Sequence, residues 1–92
     1  MKIEGDTVVF KSFPHLWEAE RSGAKSNTLR KITDRDEYKA FMGWVTLPAR
    51  KIEIVNSTTY ESFTRNVTHV YDDWPTPLFV ISWKHEDAGA AR

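Results

Sequence analysis

Four polar side chains with complementary hydrogen-bonding chemistry lie close together in the chain, at Lys25, Ser26, Thr28 and Arg30. Lysine supplies a mobile cation, the two hydroxyls can donate and accept, and arginine supplies a planar fork suited to a phosphate or to the edge of a base. If Thr28 and Arg30 point into the mouth of a small sheet, these groups converge in a mostly apolar surround, as in a ligand pocket. The alternative is structural: Arg30 pairs with Asp34 or Asp36, and Lys25 is simply solvated.

A short helix is predicted just before this polar segment, from Pro14 to Ser22. Pro14 stands where the first residue of a helix tolerates proline, and Gly23 is placed to end the helix in a left-handed cap. Three apolar side chains recur at helical spacing: Phe13, Leu16 and Trp17. Trp17, like Trp83 later in the chain, is expected to lie in the core. The polar segment should therefore begin where this helix ends.

The polar segment itself is predicted to become a strand over Asn27 to Ile32, with Thr28, Arg30 and Ile32 on one face. A second helix is expected from Asp34 to about Met42, because Asp34 and Glu37 stand at capping-box spacing. Gly43 is expected to stop that helix.

The other segments are predicted to be strands. Their β-branched content and alternation indicate strands at Thr7 to Lys11, Lys51 to Val55, Ser62 to Tyr71 and Leu78 to Trp83. The second and third of these are expected to form a hairpin. The final residues, HEDAGAAR, are expected to fray.

Composition favours one small domain of the α+β class. The chain has 92 residues, 40% of them hydrophobic, no cysteine and a formal net charge of zero. This size allows one core, and we expect a single domain over residues 1–86 followed by a disordered tail over 87–92. About five mainly antiparallel strands with one or two short helices hide their edges most easily by curling into a small β-barrel. The first helix would cover one opening.

The segment from Gly23 to Tyr38 resembles a known family. Gly23, Lys25, Ser26, Thr28 and Arg30 match the G-x-K-T-x-T-x-R type segment of ASCH domains in the PUA-like superfamily, with Ser26 in place of the first threonine. The continuation RKITDRDEY is similar to the R-K-x-D-R-x-F segment of a short, often phage-associated branch. The resemblance implies a β-barrel with a cleft beside the first helix, and a role with RNA, nucleotides or modified nucleosides.

Some proteins of that superfamily are similar to amidohydrolases that deacetylate N4-acetylcytidine with a lysine, a threonine and a glutamate. Carried over by motif position, the first two are Lys25 and Thr28. The family glutamate comes from a late insertion, and this chain has only YDDWPTP there, so Asp72 or Asp73 would have to substitute. An amidohydrolase needs both a base and an acid, whereas an aspartate pair beside prolines also has an ordinary role in turns.

The sequence therefore leaves three hypotheses: a binding module for RNA or a modified nucleoside, a small amidohydrolase, and a protein-interaction module. The site residues expected for binding are Lys25, Ser26, Thr28, Arg30 and Trp74. Zero net charge suits a small ligand better than a long duplex, because each bound phosphate normally requires a cation. The three histidines are too scattered to predict a metal site, and the sequence has no nucleotide-cradling motif, so we expect neither a metal nor a cofactor. It has no apolar run long enough to predict a membrane span, so we expect a cytoplasmic protein.

Overall fold

Six strands in one sheet and two helices make up the part of the chain that the computed structural model describes, residues 1–87. In chain order the elements are β1 (Lys2–Glu4), β2 (Thr7–Ser12), α1 (Pro14–Ser22), β3 (Asn27–Lys31), α2 (Arg35–Val45), β4 (Lys51–Asn56), β5 (Ser62–Asp72) and β6 (Leu78–Asp87). The predicted α+β class is confirmed. The additional strand is β1, which forms a short hairpin with β2 around Gly5.

The strands follow the order β1-β2-β4-β5-β6-β3 in the sheet. Every neighbouring pair is antiparallel except β2 and β4, which run parallel from Thr7 beside Lys51 to Ser12 beside Asn56. The predicted hairpin is β4 and β5. Within residues 1–87, β1 and β3 are the edges and do not pair with each other, so the sheet is curved but not closed by a backbone ladder.

Helix α1 has the predicted bounds, and the reasons are local. Pro14 starts the helix, and Gly23 ends it in the left-handed region with φ 91°. Trp17 is buried as predicted, and its Nε1 donates to the carbonyl of Ile54 at 2.9 Å, which fixes the helix against β4. Phe13 and Leu16, which share the helical spacing of Trp17, are exposed and line a pocket.

Helix α2 begins as predicted and ends later than predicted. The Asp34 side chain accepts from the backbone N–H of Glu37 at 2.9 Å, which caps the first turn. The helix continues through Gly43 to Val45, so the predicted stop is wrong. A glycine inside a helix costs only about 1 kcal/mol, and Trp44 offsets this by being almost fully buried.

One apolar cluster fills the concave side of the sheet and is covered by both helices. Its members are Val8, Phe10, Trp17, Ile32, Phe41, Trp44, Ile52, Ile54, Phe63, Phe79, Ile81 and Trp83. The predictions that Trp17 and Trp83 belong to the core are confirmed. Helix α2 is tied to the β1–β2 turn by a hydrogen bond of 2.7 Å from Trp44 Nε1 to the carbonyl of Asp6.

Strand β6 is longer than predicted, since it continues past Trp83 to Asp87. The start of the segment that was expected to fray is therefore part of the sheet. The rest of the predicted tail, residues 88–92, lies outside the described residues. His85 in this extension lies against the end of α1, where an ideal Cβ placed on Gly23 would be 2.8 Å from the imidazole ring.

We predict that Gly23→Ala lowers the free energy of unfolding by about 2–3 kcal/mol, because a left-handed alanine costs about 1–2 kcal/mol and the new methyl group also displaces His85. The matched control is Gly5→Ala, where φ is also positive at 61° but nothing lies within 4 Å of the added Cβ. Urea unfolding measures both. The contact with His85 is disproved if the two losses are equal, or if His85→Ala leaves the excess loss of Gly23→Ala unchanged.

Candidate functional site

The side chain of Arg30 bridges the open seam between β2 and β3. Strand β1 pairs with β2 only from Thr7 to Val9, so the rest of that edge of β2 has no neighbouring strand among the described residues. Arg30 Nη1 donates to the carbonyl of Lys11 at 2.9 Å, and Nη2 donates to Ser12 Oγ at 2.7 Å. The guanidinium therefore joins the two sides of the seam where a ladder is absent.

Arg30 is held at both ends of its planar group. Its Nε donates to Thr28 Oγ1 at 2.9 Å, and its guanidinium carbon lies 4.7 Å from the centre of the Phe10 ring. Burial lowers the pKa of the Arg30 guanidinium, whereas the nearby Glu20 carboxylate acts in the opposite direction. Arginine nevertheless remains a cation at neutral pH.

The structural alternative for Arg30 is wrong. In the described part of the chain its hydrogen bonds go to Thr28, Lys11 and Ser12, and no ion pair joins it to Asp34 or Asp36. The predicted face of β3 is correct: Thr28 is buried and Arg30 is half-buried. The strand therefore aims a hydroxyl and a guanidinium towards the seam.

A buried carboxylate, Glu20, lies beside this seam and was not predicted. Only 1% of Glu20 is exposed, and its Oε1 accepts no hydrogen bond from any described residue. The signal in the sequence was its position three residues after Trp17, which places both on the buried face of α1. A charged residue on an otherwise buried stripe of a helix is the feature that could have identified it.

Lys25 approaches Glu20 because the chain doubles back at the end of α1. The left-handed turn at Gly23 lets the backbone N–H of Lys25 donate to the carbonyl of Ala19 at 3.0 Å. Its Nζ then lies 3.4 Å from Glu20 Oε2, with 36% of the Lys25 side chain exposed. The alternative of a simply solvated Lys25 is therefore wrong.

These groups line one cavity of about 420 Å³. Its lining residues are Lys11, Ser12, Phe13, Leu16, Glu20, Lys25, Thr28, Leu29, Arg30 and Ser57. Three cations against one carboxylate leave an excess of two positive charges around it. Three exposed apolar side chains complete the lining, namely Phe13, Leu16 and Leu29. The cavity thus combines a polar interior with apolar side chains, as small-molecule sites do.

The predicted site residues divide into two groups. Lys25, Thr28 and Arg30 lie together in the cavity. Ser26, Trp74, Asp72 and Asp73, all within the described residues, do not line it. The Ser26 carbonyl instead accepts from the N–H of Trp83 at 3.1 Å, and Trp74 is 78% exposed in the β5–β6 loop. The carboxylate that the cavity does contain is Glu20.

Chemically, the arrangement can hold a polar ligand and could also promote proton transfer. A carboxylate beside an ammonium can accept and return a proton, while hydroxyls hydrogen-bonded to a guanidinium can stabilise developing negative charge. Among residues 1–87 no group of three or more His, Cys, Asp or Glu side chains is arranged to hold a metal ion. The same part of the chain contains no helix both long and apolar enough to cross a membrane.

We predict that Arg30→Lys lowers the free energy of unfolding by about 1.5–3 kcal/mol, because an ammonium cannot donate to Thr28, Lys11 and Ser12 together. Arg35→Lys is the control, since that exposed arginine begins α2 and should change stability by no more than about 0.5 kcal/mol. Urea unfolding gives both values. Equal stability of the two variants would show that Arg30 does not hold the seam.

No protein-family model matches the sequence. No curated protein matches it either.

Proposed function

We propose that the protein binds a nucleoside or nucleotide, free or within RNA, in the cavity between α1, β2 and β3. The observation that carries this proposal is the convergence of Lys25, Thr28 and Arg30 with the buried carboxylate of Glu20. The resemblance to ASCH domains points to the same class of ligand. The cavity volume of about 420 Å³ also lies in the range of small-molecule sites.

The apolar lining supports a planar ligand. Phe13 is 66% exposed and Leu29 is 57% exposed, although both are large apolar side chains. Aromatic side chains commonly stack on bases in proteins that bind single-stranded RNA or nucleosides. A base lying against Phe13 would bring its polar edge towards the groups deeper in the cavity.

The charge distribution orients such a ligand. Lys11 is exposed at the cavity, whereas Glu20 is buried. A phosphate would be repelled by the carboxylate of Glu20 and attracted by the ammonium of Lys11. The base therefore lies inside and any phosphate lies outside.

We predict that Lys25→Ala weakens nucleoside binding by about tenfold or more, because a charged donor to a ligand acceptor is lost. The measurement is an NMR titration of the labelled protein with cytidine and N4-acetylcytidine, with amide shifts expected at Phe13 and from Lys25 to Arg30. Lys39→Ala, on the exposed face of α2, is the control and should bind as wild type does. Saturable binding that Lys25→Ala leaves unchanged contradicts the proposed site.

A second candidate function is hydrolysis of an N-acylated base, and one observation favours it. The resemblance requires a carboxylate beside the lysine and threonine, and Glu20 lies 3.4 Å from Lys25 in the same cavity as Thr28. In this reaction Glu20 would take a proton from the attacking water as the new C–O bond forms. The proton would then pass to the departing amine nitrogen as the C–N bond breaks, giving a carboxylic acid and the free base.

For this candidate we predict that wild-type protein releases acetate and cytidine from N4-acetylcytidine, and that Glu20→Gln reduces the rate by at least about a hundredfold. Proton NMR follows acetate directly. Asp73→Asn is the control, because Asp73 does not line the cavity. If wild-type protein binds N4-acetylcytidine but releases no acetate, the hydrolase candidate is excluded and the binding function remains.

A further inference from the structure

The hydrogen-bonding groups of the cavity are unevenly divided between donors and acceptors. Arg30 donates to both Thr28 Oγ1 and Ser12 Oγ, so each hydroxyl already accepts one bond and keeps its own proton to donate. Both hydroxyls belong to buried residues that line the cavity. Arg30 therefore makes these two groups donors towards a ligand.

Glu20 Oε1 is the complementary acceptor. It is buried and accepts no hydrogen bond from the described residues. A buried acceptor without a partner costs about 1–3 kcal/mol, so such atoms are rare unless something outside the chain completes them. The carboxylate belongs to a residue lining the cavity, which leaves a ligand as a suitable partner.

Lys25 supplies a donor beside this acceptor. The 3.4 Å separation of its Nζ from Glu20 Oε2 is longer than the 2.7–2.9 Å typical of a charge-assisted hydrogen bond. The ammonium has three N–H groups, and its side chain is partly exposed. It can therefore shift to meet a ligand acceptor and open the carboxylate to a ligand donor.

We infer, on the basis of the proposed function, that the cavity recognises a base through one N–H donor that stands beside an acceptor. The N–H donates to Glu20 Oε1, while Lys25 and the hydroxyls of Thr28 and Ser12 donate to neighbouring carbonyl or ring nitrogen acceptors. Uracil presents this pattern with its ring N–H between two carbonyls. Cytosine and adenine present it with an amino N–H beside a ring nitrogen, and an acyl group on the cytosine amine preserves one N–H.

The pattern disfavours guanine and inorganic phosphate. Guanine presents two adjacent donors on its pairing edge, whereas Glu20 Oε1 is the only buried side-chain oxygen without a hydrogen-bond partner among the described residues that line the cavity. Phosphate has no N–H for Glu20, and its charge opposes that of the carboxylate. Affinity should therefore depend on a single proton of the base.

The test compares bases with and without that proton. Isothermal titration calorimetry measures uridine against 3-methyluridine, cytidine against N4,N4-dimethylcytidine and adenosine against N6,N6-dimethyladenosine. Whichever unmodified base binds, its methylated partner should bind wild type at least about tenfold more weakly, since a hydrogen bond to a charged group is lost. The three pairs show whether a ring or an exocyclic N–H is recognised.

The Glu20→Gln variant shows whether a methylated base binds more weakly because it loses a hydrogen bond to Glu20 or because its methyl groups are too large for the cavity. It should reduce the discrimination to less than about threefold, because a neutral amide is a weaker acceptor and can also donate. A thermal melt confirms that the variant is folded, and Glu18→Gln, on the exposed side of α1, is the matched control.

The possible failures are distinguishable. Equal affinity of wild type for methylated and unmodified bases overturns this inference and leaves the proposed function in place. Discrimination that survives in Glu20→Gln overturns the role of Glu20. No binding of uridine, cytidine, adenosine, guanosine or N4-acetylcytidine overturns both the proposed function and this inference.

Discussion

The bridge made by Arg30 is the interaction on which the candidate site depends. A curved sheet of six strands leaves β3 and half of β2 without a ladder between them. One guanidinium spans this seam with hydrogen bonds to Lys11 and Ser12. Arg30, Lys11 and Ser12 all line the cavity, so the cavity lies at this bridge. The same bond pattern sets the direction of the hydroxyl donors that face it.

The second constraint is the buried carboxylate of Glu20. Burial of a charge is costly unless it is paired and fully hydrogen-bonded, and among residues 1–87 only Oε2 of Glu20 finds a partner. Lys25 is brought to that partner position by the left-handed turn at Gly23. The end of α1 thus links backbone geometry to the electrostatics of the cavity. A group that lowers stability while facing a cavity is typical of sites kept for binding or chemistry.

The sequence predicted the ends of helices correctly where one residue acts directly on the backbone at that end. Pro14 and Gly23 gave both ends of α1, and Asp34 gave the start of α2, because each acts through its own backbone. The end of α2 was predicted wrongly, since burial of Trp44 outweighs the weak helix propensity of Gly43. Strand β1 has three residues, too few to show alternation.

The site was predicted only in part for a similar reason. Lys25, Thr28 and Arg30 are close in sequence, so one motif was enough to group them. Glu20 joins them through tertiary packing, and a glutamate on an amphipathic helix ordinarily faces solvent. Trp74 could not be placed from sequence because an aromatic residue in a loop can point into a cavity or away from it. In the structure it is exposed and outside the cavity lining.

The most direct measurement is a crystal structure of the protein grown with saturating N4-acetylcytidine, cytidine or uridine. The account predicts a base in the cavity between α1, β2 and β3, lying against Phe13, with an N–H of the base within hydrogen-bond distance of Glu20 Oε1. Arg30 should keep its bonds to Lys11 and Ser12. A nucleoside bound elsewhere, for example at Trp74, with Glu20 still without a partner would contradict the central claim.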